Sequence, residues 1–141
     1  MLVGTTHLES LRRSAKIRPI QLKEIFALLN DSDNSVLMGD FNFCSSWDEN
    51  SNIDSSYLDF CQILRFDDPG YTAEEDINIM RRHINKEDDN VRIDRIMSRS
   101  ENQNWKPTRI DRIGMEPISP KYPDIFPSDH FGLIGKLEYK R

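Results

Sequence analysis

Ser35-Val36-Leu37-Met38-Gly39-Asp40-Phe41-Asn42 is the stretch that decides how this chain is read. The first four residues suit a short buried strand, and Gly39 stops it. A carboxylate and an amide, Asp40 and Asn42, follow at its C-terminal end, where sheets display ligand-facing side chains. Upstream, Asn30-Asp31-Ser32-Asp33-Asn34 reads as a turn. Before it, Leu22, Ile25, Phe26 and Leu29 recur at helical spacing, which predicts an amphipathic helix over 18–29 with Pro19 in its first turn. Earlier still, Leu2 to Thr6 has strand character and runs into His7-Leu8-Glu9-Ser10, so His7 also sits at a strand end.

Downstream of Asn42, Asp54 and Ser55 can cap a second helix whose Tyr57, Cys61 and Leu64 face a core, which makes Cys61 a packing residue. Residues 69–90, polar and weakly periodic, predict a long loop. Strands are expected over 91–97, near 108–115 and over 132–139, the last with Leu133, Leu137 and Tyr139 on one face. The order β-α-β-α-β-β-β makes an α+β chain: helices packed on a mixed sheet, with antiparallel pairing among the late strands.

Composition narrows the class. The 141 residues suffice for one domain. With 37% hydrophobic and 30% charged residues, and only 6 Gly and 7 Pro, a collagen-like or wholly disordered chain is excluded. No run of apolar residues is long enough for a spanning helix, and no basic segment precedes a hydrophobic one at the N-terminus. A soluble, intracellular protein is expected. Cys44 and Cys61 make neither a disulfide framework nor a zinc ligand pair, so both should be reduced. The balance of 19 Lys and Arg against 24 Asp and Glu, a net charge of −5, lacks the footprint of a protein that coats nucleic acid. The basic run Arg12, Arg13, Lys16, Arg18 and the acidic run Glu87-Asp88-Asp89 each read, taken alone, as solvated surface. Arg-Ile-Asp-Arg occurs at 92–95 and again at 109–112, and two copies do not make a repeat array.

Three polar groups lie just beyond expected strands or directly before one: His7-Leu8-Glu9-Ser10, Asp40-Phe41-Asn42 and Ser128-Asp129-His130. Singly, each has an ordinary explanation: an Asp-x-Asn turn bonding its own amides, a hydrogen-bonded histidine, a polar loop. Together, Asp, Asn, two His and a further Asp on a strand are what phosphodiester hydrolysis needs. A carboxylate takes a proton from water, an amide fixes it or the nucleophile, and imidazoles donate to the phosphorane oxygens. Rival plans lack their settings. Ser10 and Ser128 have no Gly-x-Ser-x-Gly elbow, Cys44 follows no helix start or basic neighbour, and no Gly-rich nucleotide loop is present.

Thr6-His7-Leu8-Glu9-Ser10, Gly39-Asp40-Phe41-Asn42, Arg92-Ile93-Asp94-Arg95-Ile96 and Pro127-Ser128-Asp129-His130-Phe131-Gly132-Leu133 resemble, in order and spacing, the C-terminal half of the endonuclease/exonuclease/phosphatase superfamily. His-Leu-Glu-Ser-x-Arg at 7–12, Pro69-Gly70-Tyr71-Thr72 and Phe126 to His130 look most like the tyrosyl-DNA phosphodiesterases of the second type. The resemblance implies the C-terminal half of a four-layer, DNase I-like sandwich of two facing sheets flanked by helices. Residues 1–141 would then be a single partial domain without its N-terminal half. It implies a hydrolase dependent on Mg²⁺, with Mn²⁺ as a substitute. Asp40 would activate the attacking water, Asn42 would position it or bind phosphate, and His130 would stabilise developing charge. Asp94 would orient His130, and His7 would contact the scissile phosphate from the opposite strand end. Ser10 and Arg12 would hold substrate, and Asp129 would reach the metal through water. The principal glutamate ligand belongs to the other half.

The function so implied is a metal-dependent phosphodiesterase or nuclease acting on five-prime tyrosyl-DNA adducts or related DNA ends. Its partner would be DNA or a DNA–protein adduct, and its location nuclear or cytoplasmic. A lipid or small-molecule phosphoester hydrolase of the same superfamily is one alternative, and a catalytically inactive fragment that serves as a binding module is another. A sheet without its partner sheet should also expose apolar surface.

Overall fold

The computed structural model describes residues 1–64, 70–84 and 90–140. Pro69 and the acidic run Glu87-Asp88-Asp89 lie outside the described residues. The elements are β1 (Leu2–His7), α1 (Arg18–Leu29), β2 (Asn34–Asp40), β3 (Leu58–Asp59), α2 (Phe60–Leu64), α3 (Ile79–Ile84), β4 (Asp94–Ser100), β5 (Trp105–Ile113) and β6 (Gly132–Tyr139). Short 3₁₀ turns occupy Arg12–Ser14 and Asp48–Asn52. No helix among the described residues is long and apolar enough to cross a membrane.

The strands make a four-stranded sheet in the order β1-β2-β4-β3 and a separate hairpin of β5 and β6. β1 runs parallel to β2, whereas β4 is antiparallel to both β2 and β3. Alternation along the strands divides the core in two. Leu37 of β2 and Met97 of β4 pack with Leu22, Phe26 and Leu29 of α1, joined by Leu8, Phe41, Phe43 and Tyr57. Val36 and Ile96 point the other way, toward Phe60 of α2, Ile110 of β5, and Leu133 and Leu137 of β6. The hairpin comes so close that a Cβ at Gly135 would stand 2.8 Å from the Phe60 ring. The molecule is therefore layered: helix, sheet, hairpin.

Several expectations are corrected. Asp54 does not begin a helix. Its carboxylate accepts from the Ser56 amide and hydroxyl, a tight local turn that competes with helix formation. The chain then extends as β3, and Asp59 caps α2 by accepting from the Cys61 amide. Tyr57 thus joins the α1 side of the core, while Cys61 and Leu64 pack on the hairpin side. The 69–90 stretch is not all loop, since α3 lies within it and Ala73 bridges Val91. β4 starts three residues later than the strand expected from Val91, and β5 runs over 105–113 instead of 108–115, with an irregularity between Pro107 and Arg109. Tyr139 is exposed; its ring meets Trp105 across the hairpin at a tilted 60° with centroids 5.2 Å apart. Both cysteines are free. Cys44 does have a basic neighbour: burial pushes its thiol up, but hydrogen bonds from Ser46 and the Arg92 amide, with the Arg95 charge, draw it below the ordinary value. The hairpin covers part of the sheet, and exposed apolar side chains are scattered, among them Leu28 and Ile20 of α1, Val3 of β1 and Ile134 of β6.

Candidate active site

Strand register assembles the site. His7 pairs with Asp40 across β1 and β2, and Asp40 pairs with Asp94 across β2 and β4. Three strand ends therefore coincide, with His7 beside Asp40 and not opposite it. The join is tightened by Leu8 N–H donating to the Asp40 carbonyl (2.9 Å) and Phe41 N–H to the Ile93 carbonyl (2.8 Å). Gly39 is required here. Its φ is +129°, and a Cβ would run into the Thr6 carbonyl on β1, so no side chain can precede Asp40 without pushing the strands apart.

Asp40 has its two oxygens in different roles. Oδ1 accepts from the Asn42 amide at 2.7 Å, closing a turn in which Asn42 adopts φ 53°, a left-handed conformation that asparagine tolerates. Oδ2 faces His7 Nε2 at 3.5 Å and His130 Nδ1 at 3.9 Å. Burial raises the Asp40 carboxyl above the usual carboxylate range, and the Asp94 charge adds to that, against the Asn42 amide and the two imidazoles. The Asn42 side chain donates to the Leu8 carbonyl at 2.8 Å, which ties the β1 end to this turn. The same residues thus form an ordinary turn and line a site.

His130 Nδ1 lies 3.0 Å from Asp94 Oδ2, so an N–H at Nδ1 donates to that carboxylate. This bond raises the imidazole above its ordinary value against the effect of burial, and the charges of Asp94, Asp40 and Asp129 assist. Nε2 is left for other partners. Arg95, buried between the rings of Phe41 and Phe43, donates to the Phe43 carbonyl at 2.7 Å and to Asn50 at 2.6 Å. Burial lowers it to about 10, so it remains a cation at neutral pH and clamps the loop after Asn42 to β4.

A cavity of about 430 Å³ is lined by His7, Asp40, Asn42, Asp94, Asp129 and His130, together with Arg81, Ile93 and Ser128. Ser10 and Arg12 are not in that lining. The Arg12 guanidinium sits over the Trp47 ring, and buried Arg18 holds the 8–12 loop by donating to the carbonyls of Glu9 and Leu11. Asp40, Asp94 and His130 can each offer a ligand atom within 4.8 Å of the others. The two carboxylates suit a hard divalent cation, which would relieve the repulsion that raises Asp40 and which takes one or two carboxylates with waters and phosphate oxygens. Asp129 lies outside that group and pairs instead with Arg81 at 3.6 Å.

Three residues that sequence reasoning gave no role stand behind or within the site. Thr72 is fully buried; its hydroxyl accepts from the amides of Ile93 (3.2 Å) and Asp94 (3.0 Å), and its carbonyl accepts from Phe131 (2.7 Å). One residue thereby fixes both members of the His130–Asp94 pair. Asn78 donates to the Ser128 carbonyl at 2.8 Å and holds the loop that carries His130. Arg81 reaches the cavity itself. Asn78 and Arg81 lie in a polar, weakly periodic stretch, so only their distant partners reveal them. Thr72→Val keeps the shape and removes the acceptor, leaving two buried amides unpaired. Urea unfolding should show a loss of about 1–3 kcal/mol.

No family model matches the sequence, and no curated protein matches it. Solved structures do. D. rerio TDP2 complexed with single strand DNA product is similar at a TM-score of 0.80 and 23% identity, over 95% of this chain and 54% of that one. A humanized D. rerio TDP2 carrying 14 mutations is similar at a TM-score of 0.75 and 24% identity, over 95% and 53%. The fold is DNase I-like. An endonuclease/exonuclease/phosphatase family protein from Bacteroides thetaiotaomicron shares this DNase I-like fold at a TM-score of 0.66 and 17% identity, over 97% of this chain and 49% of that one. The chain spans about half the length of these DNase I-like structures.

Proposed function

We propose that this chain is the C-terminal half of a metal-dependent phosphodiesterase or nuclease domain acting on DNA, on five-prime tyrosyl-DNA adducts or related DNA ends. The observation that carries this reading is the convergence of Asp40, Asn42, Asp94 and His130 on one cavity. The likeness to a TDP2 complexed with single-strand DNA product supports DNA as the substrate class. Such a substrate would place the protein in the nucleus or cytoplasm.

Asp40 Oδ2, free of the turn that occupies Oδ1, takes the proton of the attacking water. Asn42 keeps one amide hydrogen and its carbonyl for that water or a phosphate oxygen, since its bond to Leu8 uses the other hydrogen. His130 presents Nε2–H to the developing negative charge as the imidazolium, and Asp94, accepting from Nδ1–H, fixes the ring and favours that charged form. His7, largely exposed at the rim, donates to the phosphate beside Asp40. Asp40 and Asp94 would hold a divalent cation, Mg²⁺ or Mn²⁺, whose chemistry is to offset the substrate's charge and polarise the phosphoryl group. The domain's other half would add a further carboxylate ligand.

A five-prime phosphotyrosyl oligonucleotide, an abasic duplex and sphingomyelin, each incubated with the chain within its whole domain, test the proposal. Metal-dependent release of tyrosine that chelator abolishes is expected. Hydrolysis of sphingomyelin alone would transfer the assignment to a lipid phosphodiesterase, and no hydrolysis of any of the three would leave a binding module.

A further inference from the structure

Three carboxylates, Asp40, Asp94 and Asp129, line the cavity, and its other titratable groups are the imidazoles of His7 and His130 and one guanidinium. Among the described lining residues Arg81 is the only permanent cation. An anionic phosphoryl group entering so acidic a cavity needs positive charge close by. Arg81 is placed to supply it. Its Nη1 lies 3.3 Å from His130 Nε2 and 3.6 Å from Asp129 Oδ2. Its Nε–H is buried with no hydrogen-bond partner, and its side chain is 15% exposed.

Because Asp94 takes Nδ1 of His130, Nε2 is the ring nitrogen that faces the cavity, where Arg81 Nη1 lies at 3.3 Å and the carboxylate of Asp129 at 3.8 Å. Any anion that reaches Nε2 therefore arrives against the guanidinium. The 3.6 Å approach to Asp129 is an ion pair without a close hydrogen bond, so it can loosen as a phosphate oxygen comes in. A phosphoryl group has at least two non-bridging oxygens, and the guanidinium fork can donate to both. We propose that Arg81 is a phosphate ligand of this site, closing on the same phosphoryl group as His130. The inference deepens the phosphodiesterase reading and rests on it.

Inorganic phosphate titrated into the chain, followed by NMR, tests it. In the parental protein the amides of Asn42 and His130 and the Arg81 side-chain Nε–H resonance should shift together with a single Kd. Arg81→Gln should weaken that Kd about tenfold and Arg81→Lys by no more than about threefold, since lysine keeps the charge and loses only the fork. Arg82→Gln should bind as the parent does, because Arg82 donates to the Glu75 carbonyl and does not line the cavity. Parental binding by a folded Arg81→Gln variant, or an Arg81 resonance that stays still while Asn42 and His130 move, overturns the role of Arg81 and leaves the phosphodiesterase reading standing. Absence of any shift at Asn42 and His130 in the parental protein overturns both. Should Arg81→Gln lose its dispersed spectrum, the parental Arg81 resonance decides the matter.

Discussion

Asp40→Asn should lower phosphodiester turnover by about 10²–10⁴-fold, the usual contribution of a positioned general base, while the protein stays folded. Asparagine retains an oxygen that can accept from the Asn42 amide, so the turn after β2 survives. It places an amide where Oδ2 faced His7 and His130, and an amide cannot take a proton from water. Losing the charge also removes repulsion with Asp94, so unfolding midpoints should hold or rise slightly. The pH profile gives an independent check. The base works only when ionised; burial and the Asp94 charge raise its carboxyl and a bound cation opposes that rise, so the acid limb should move to lower pH as divalent metal is added. His130, raised by its bond to Asp94, donates best as imidazolium, so activity should fall only above the ordinary histidine range. The alkaline limb is displaced upward, and Asp40→Asn should erase the acid limb. Near-parental turnover in that variant, or an unchanged acid limb, would refute the assignment of the base.

Asp59→Ala should be the most destabilising single change, costing about 3–5 kcal/mol against a total stability of about 5–15 kcal/mol for a domain. Asp59 Oδ2 pairs with Arg92 Nη1 at 2.7 Å, with only 2% and 8% of the two side chains exposed. Alanine would leave a buried guanidinium without its counter-charge and strip α2 of its cap at the Cys61 amide. Arg92 immediately precedes Ile93, whose carbonyl accepts from Phe41, so the loss should spread to the strand end that carries Asp94. Removing both charges with Asp59→Leu and Arg92→Met should recover much of the deficit, because neither ion then stays buried alone. Equilibrium urea unfolding of the three proteins measures this. A single variant within about 1 kcal/mol of the parent would mean that water reaches the Arg92 head group.

Local signals were legible wherever neighbours in the chain carried them. Helical spacing of Leu22, Ile25, Phe26 and Leu29 placed α1, and the apolar run before Gly39 marked β2, which does not stop at Gly39 but pairs on through it to Asp40. The 54–64 segment misled because Tyr57, Cys61 and Leu64 satisfy a helical period, yet the Asp54 turn and two residues of strand divide them between separate cores. The late strands were legible as strands but not as a hairpin layered over the first sheet. Strand propensity says nothing about which faces meet.

The sequence by itself determined the α+β character, strand ends close to His7 and Asp40, and the residue types able to handle a phosphodiester, since all of these depend on short-range periodicity and side-chain chemistry. Tertiary structure alone decided that Asp40 sits between His7 and Asp94 by strand register, that Thr72 braces both Asp94 and Phe131, and that Arg81 enters the cavity from α3. These placements rest on hydrogen bonds and ion pairs between residues tens of positions apart, and such contacts leave no periodic trace in the chain that makes them.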